Sequence, residues 1–354
     1  MKRLFYIAII TFLAVGCHNH TTRNDDQLKT IRLKENIQDT INADKVFRSI
    51  NYITLVTPDS VLMGYPAKII KDRNRIFVSD GSKVFVFDKG GKYVMSVSRE
   101  GRGPSEHQSV RDFSVDGDNV YIIDSTPCLF KYSIDGVFLD KQPLGSFAAT
   151  VQPIDEDKLV VTSAYQNKED KFRMFREVTL KETSSYFPVN EAEMKYRQLL
   201  NQNNFFVYDG SLLYHERWNN YVYLLKTNGY KIIYHFDFFG RNIPEDFLHA
   251  KYSDVVDFSM KLRDKSYCYL LNDYAESDNS ILMSISDCGK CRMCLYDKKV
   301  GTSIQFNYII LRPGSSAVSV GTIPANFYSE DSMFFTLGED EDDAKVQICE
   351  VRLK

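Results

Sequence analysis

Residues 76–139 read IFVSDGSKVFVFDKGGKYVMSVSREGRGPSEHQSVRDFSVDGDNVYIIDSTPCLFKYSIDGVFL. Divided after Val110, the two halves match. Residues 75–80 (RIFVSD) align with 119–124 (NVYIID), and 83–88 (KVFVFD) with 128–133 (CLFKYS). Each half then passes through a glycine turn, Gly90-Gly91 or Asp135-Gly136, into another apolar run. This is one unit of short strands repeated at roughly 45 residues, the period of β-propeller blades.

Working outward, the same grammar predicts an all-β, six-bladed propeller over residues 45–354 with two short helical insertions. Blade one spans about 67–98 and blade two 111–142. Blade three has strands at 158–164 and 172–180, with a further one at 186–189. Blade four covers 205–238 with an Asn228-Gly229 hairpin turn. Blade five has strands at 281–286, 292–297 and 303–310, and blade six at 332–337 and 346–353. A leading strand at 46–56 precedes the first repeat and is expected to join the last blade, because closing the ring removes exposed sheet edges. The expected helical insertions are 190–201 (NEAEMKYRQLLN) and 244–264, the second opening on Pro-Glu-Asp, a helix start.

The N-terminus reads as a targeting segment. Lys2 and Arg3 precede an apolar run over residues 4–15, short of the roughly 20 residues that span a bilayer, and the run ends in Ala14-Val15-Gly16-Cys17. Small residues before a cysteine resemble a lipoprotein signal: residues 1–16 would be removed and Cys17 acylated, each buried methylene contributing about 0.8 kcal/mol to the anchor. The alternative is an ordinary secretory signal followed by an incidental cysteine. Residues 17–44 are read as a polar, flexible tether.

The formal net charge is −3 and no basic stripe is present, which excludes a nucleic-acid interface. The 22 Tyr and 24 Phe against a single Trp suit a strand-rich protein. No H-E-x-x-H, G-x-S-x-G or Walker loop occurs.

The segment GRGPSEH at 101–107, followed by a strand, VYIID and a glycine-turn strand, resembles the lipid-anchored six-bladed propeller proteins of anaerobic Gram-negative gut bacteria. Their blades are similar to NHL and TolB-type repeats. The family's loop is usually G-x-G-P-G-E-Y; Ser105 and His107 replace the second Gly and the Tyr here. The resemblance implies the fold and a place in the cell envelope, at the outer membrane, with the side of display open. It implies little about activity, since one fold hosts many functions.

Loops between blades carry function on a rigid scaffold. Arg99, Arg102, Glu106, His107 and Arg111 cluster in one such connection, and Arg241 lies in a second. Arginines on one face of a ring would hold carboxylates or phosphates by paired hydrogen bonds; the plainer reading is that Arg102 and Glu106 pin their own loop. Trp218, in a turn, would stack on a sugar or a partner, or else pack against a neighbouring blade. Cys288, Cys291 and Cys294 (C-x2-C-x2-C) read as free thiols, as a Cys288–Cys291 disulfide, or as metal ligands. Cys291 and Cys294, three apart on a strand, point to opposite faces, which disfavours a shared metal. The acidic run at 339–343 is either a Ca²⁺ site or a solvated hairpin tip. Two functions fit. The first is a non-catalytic module binding a protein partner or glycan without a cofactor. The alternative is a hydrolase or lyase acting on a lactone or polysaccharide, with carboxylates and a histidine in the central channel and Ca²⁺ possible.

Overall fold

The computed structural model describes residues 28–97, 100–144, 147–155, 158–163, 172–176, 184–189, 191–196, 205–226, 229–311, 318–319, 332–337 and 346–354. The quoted repeat forms the first two blades. Blade I comprises Lys68–Asp72, Arg75–Ser79, Val84–Asp88 and Tyr93–Ser96; blade II comprises Asp112–Asp116, Asn119–Ile123, Cys128–Ser133 and Phe138–Pro143. Both are antiparallel meanders. Blade III runs from Ala148–Asp155 to Ser184–Pro188, blade IV from Phe205–Tyr208 to Gly229–Asp237, and blade V from Cys268–Glu276 to Thr302–Ile310.

The second strand of each of blades I to V is buried almost throughout because both faces of a blade are covered. In blade I, Ile76 and Val78 pack toward the sheet holding Phe334 and Ile348, while Phe77 packs toward Phe113 and Val120 of blade II. Such clusters lie at every junction: blades II–III around Val151 and Leu159, III–IV around Phe187 and Leu212, and IV–V around Phe236 and Met283. The last sheet meets blade V around Phe306 and Phe335. The packing therefore closes into a ring. Each fully buried Phe, Ile or Val contributes roughly 1.5–3 kcal/mol relative to exposure.

The asparate that ends the repeated second strand also has a role. Asp80 Oδ1 accepts the Ser82 amide at 2.8 Å, and Asp124 Oδ1 accepts the Thr126 amide at 2.7 Å, so each caps the turn into strand three.

The expectation of six complete blades requires correction. Among the described residues five sheets carry four or more strands, and the remaining one has three: Ser332–Leu337, Val346–Leu353 and Phe47–Leu55. The last repeat supplies two strands and the N-terminal segment adds one, antiparallel to Val346–Leu353.

The tether at 17–44 is also corrected in its second half. Lys29–Arg32 pairs in parallel with Gly229–Asp237, and Ile37–Asn42 with Thr302–Ile310, on the outer edges of blades IV and V. An edge strand offers unpaired N–H and C=O groups, and Ile31, Leu33 and Ile41 are buried there. These isolated apolar residues in a polar background were too sparse to register as strands.

Of the 190–201 insertion, the described part forms a single 3-10 turn, Glu193–Lys195. The 244–264 insertion holds two helices, Glu245–Leu248 and Val255–Arg263. Asp254 caps the second, its carboxylate accepting the Val256 and Asp257 amides at 2.9 Å.

Strand order sorts the connections. Turns from strand one to two and three to four share one face of the ring. Turns from strand two to three share the other with the links between blades, here called the loop face.

Candidate functional site

Residues 100–111, the described 2→3 turns and the 244–264 insertion lie on the loop face, but several of the expected binding residues there are engaged internally. Arg99 lies outside the described residues. The Glu106 carboxylate folds back onto its own loop and accepts the Gly103 amide at 2.8 Å. A Cβ at Gly101 would sit 2.0 Å from Glu106 Oε2, so a side chain there would displace the carboxylate from its folded-back position. His107 is fully buried, its ring edge-on to Phe130 at 6.1 Å. Burial lowers its pKa, with the Asp124 carboxylate and the Ser109 backbone opposing. Arg102 and Arg111 remain exposed, and Arg111 reaches the Ala148 carbonyl of blade III at 3.4 Å. Of the described members, Glu106 and His107 serve the packing of the loop itself, while Arg102 and Arg111 face solvent.

Arg241 does not join that group. Its Nη1 lies 2.9 Å from Asp287 Oδ1 and donates to Cys288 Sγ at 2.9 Å, while Nη2 stands 3.6 Å from Glu35. Burial opposes its charge, but Asp287 and the neighbouring sulfurs outweigh burial and raise its pKa. A guanidinium held this way is not open to an incoming carboxylate. Cys288, Cys291 and Cys294 are separate thiols, the first two exposed and Cys294 buried. Among the described residues no group of three or more His, Cys, Asp or Glu side chains is placed to hold a metal. Cys17 and the acidic run at 339–343 lie outside the described residues.

Trp218, read either as a stacking residue or as packed against a neighbouring blade, is 2% exposed. The two insertions cover it: Tyr196 of the first meets its ring at 5.3 Å and Phe258 of the second at 4.8 Å. It nevertheless lines a cleft of about 310 Å³ between the 216–221 turn of blade IV and the insertion. Besides Arg217 Nε, two buried polar atoms on residues lining this cleft have no hydrogen-bond partner in the protein: Trp218 Nε1, a donor, and Asn220 Oδ1, an acceptor. Both residues hold positive φ, 78° and 57°, unusual outside glycine.

The surrounding polar groups are arranged by their own contacts. Glu216 accepts from the Tyr214 hydroxyl at 2.9 Å and from Asn219 Nδ2 at 3.3 Å. Asn242 is fixed by the Phe238 amide at 2.7 Å and the Phe236 carbonyl at 2.8 Å, and approaches His235 Nε2 at 3.4 Å. The Tyr221 ring lies over His235 at 4.8 Å. Asn220, Tyr221, His235 and Asn242 were not singled out by sequence reading. The available signal was the Trp-Asn-Asn turn, since Asn tolerates the left-handed region.

A second cavity, about 670 Å³, opens on the opposite face at the mouth of the central channel. Asp72, Asp116 and Asp155, at the first-strand ends of blades I to III, line it with Lys71, Arg73 and Arg352, and no histidine is among its lining residues. The carboxylates expected in the channel are therefore present without the expected histidine. The described histidines lie elsewhere; His235 and His249 line the loop-face cleft.

No curated protein matches this chain. Among solved structures, the chain is similar to the Bacteroides fragilis protein BF0058, assigned as exported, with a TM-score of 0.72 at 17% identity, covering 92% of this chain and 100% of that one. It also aligns with virginiamycin B lyase of Staphylococcus aureus (TM-score 0.45, 12% identity, 86% and 99% covered). BamB of Moraxella catarrhalis aligns at a TM-score of 0.45 (10% identity, 80% and 96% covered). At these identities the likeness concerns the fold alone. The family described as "Domain of unknown function (DUF4934)" matches residues 28–340, and this propeller chain belongs to that family.

Proposed function

We propose that this protein is a non-catalytic binding module of the cell envelope that captures a protein partner or glycan on its loop face, without a cofactor. The observation that carries the reading is the loop-face cleft, where a buried donor and a buried acceptor stand unpartnered beside aromatic rings. Buried polar groups are normally paired, so a site that leaves donors on Trp218 and Arg217 and an acceptor on Asn220 open is suited to a ligand. The signal-like residues 1–16 and Cys17 support export and lipid anchoring at the outer membrane. In this reading the three-stranded sheet is the sixth, shortened blade of the ring. The hydrolase or lyase alternative is weakened by the lack of a histidine beside the channel carboxylates, and a Ca²⁺ requirement belongs with that alternative.

The test is a crosslinked pull-down from native membranes with the full chain tagged at Lys354, beside a Tyr221→Ala/His235→Ala variant. Capture by the wild type and loss in the variant is expected. Equal capture by both, or recovery of the untagged protein in the soluble cytoplasmic fraction, overturns the reading.

A further inference from the structure

The cleft has chemistry that narrows its occupant. Residues lining it carry an indole N–H that lacks an acceptor and an amide oxygen that lacks a donor, on Trp218 and Asn220, each 2% exposed, and the Arg217 Nε–H beside them is likewise unpartnered. Its walls include Tyr221 and Tyr223, rings able to lie against a flat apolar face. Its formal charge is acidic: Glu193, Glu216 and Glu245 against Arg217.

These conditions act as successive filters. An anionic ligand would bring its charge toward three carboxylates. A quaternary ammonium would suit the rings and acids but has no acceptor for Trp218 Nε1, leaving a buried donor unpaired in the complex. A hydroxyl both donates and accepts, and neighbouring hydroxyls on a sugar ring satisfy both open atoms at once while the C–H face rests on an aromatic ring. A cleft of about 310 Å³ lies at the low end of small-ligand site volumes and suits one or two sugar rings rather than a long chain.

We infer that the cleft between the 216–221 turn and the 244–264 insertion binds the end of an uncharged glycan, with Trp218 Nε1 donating to one hydroxyl and Asn220 accepting from another. This rests on the binding-module reading above and names its ligand.

Two conservative variants test the assignment. Trp218→Phe keeps most of the buried ring and removes the N–H. Asn220→Gly removes the acceptor at a backbone angle that glycine favours. Neither Trp218 Nε1 nor Asn220 Oδ1 makes a hydrogen bond in the unliganded protein, and the Phe ring keeps most of the packing against Tyr196 and Phe258.

The full chain is screened on an array of neutral and acidic glycans, with tetramethylammonium as a cationic probe in solution, and hits are titrated by calorimetry. Saturable binding of a neutral glycan is expected, weakened about tenfold by either variant, as the loss of one hydrogen bond of roughly 1.4 kcal/mol implies. Each variant should keep a cooperative thermal transition, lowered by the small cavity it leaves. Absence of neutral binders from the array, binding of acidic glycans or tetramethylammonium alone, or neutral binding that both variants leave unchanged overturns the inference.

The pull-down separates this outcome from failure of the broader reading. If the Tyr221→Ala/His235→Ala variant loses a captured partner while no neutral glycan binds, the module stands and its ligand class falls. If a captured glycoprotein is released by periodate oxidation, the sugar is carried on a protein; capture of a free oligosaccharide places it in solution.

Discussion

Lys68 and Asp112 begin the innermost strands of blades I and II, and each is 6% exposed. Lys68 Nζ lies 2.5 Å from Asp112 Oδ1 and donates to the Phe113 carbonyl at 2.7 Å; Asp112 Oδ2 accepts the Val151 amide of blade III at 2.8 Å. One ion pair thus links three blades. Burial pushes the Lys68 pKa down and the Asp112 pKa up, and their mutual attraction opposes both shifts. At an effective dielectric of about 20, charges at this separation attract by about 7 kcal/mol. Desolvation costs several kcal/mol per ion and cancels much of that.

The intact pair therefore adds little net stability, yet removing one partner leaves a buried charge uncompensated. Lys68→Met and Asp112→Asn should each cost about 3–5 kcal/mol. The double variant should lie within about 1–2 kcal/mol of wild type, because the Asn oxygen still accepts from Val151. Equilibrium urea unfolding at pH 7, followed by circular dichroism, measures all four corners of the cycle. Single-variant losses below 1 kcal/mol, or losses that simply add in the double variant, would show that water reaches the pair and would refute the reasoning.

Three further outcomes are expected. Gly91 has φ of 89°, and a Cβ there would meet the Thr54 carbonyl oxygen at 2.2 Å, so Gly91→Ala should drive the closing strand from blade I and lower the thermal midpoint by several degrees. Burial raises the Glu350 pKa, but Lys71 at 2.6 Å, Ser332 and Asn51 outweigh it and hold the carboxyl below its ordinary 4.5. Its stabilisation is present above pH 4.5 and lost as pH falls through the lowered folded value, so Glu350→Gln should flatten the acid limb of a stability–pH curve. Ellman titration of the native protein should modify exposed Cys288 first and Cys291, whose thiol pKa burial pushes up, more slowly, while Cys268, Cys294 and Cys349 wait for unfolding; a fast phase unchanged in Cys288→Ser would contradict that order.

What the chain itself determined is local and periodic. Strands such as Arg75–Ser79 and Asn119–Ile123 were legible because a blade covered on both faces needs an unbroken apolar strand, and their glycine turns and capping aspartates recur with the period. The 244–264 helices were legible from a proline followed by acids. Tertiary structure decided whatever depends on partners distant in sequence. Lys29–Arg32 and Ile37–Asn42 become strands because blades IV and V offer open edges, not because of their own composition. Glu106, His107 and Arg241 looked available as charges near glycines, but Gly103, Phe130 and Asp287 consume them. Trp218, open in the sequence to a stacking or a packed role, is packed by Tyr196 and Phe258 from the two insertions, with Nε1 left without a partner. Periodicity reports which faces are buried; it carries no record of which polar atoms remain unpaired once those faces meet, and that remainder forms the cleft.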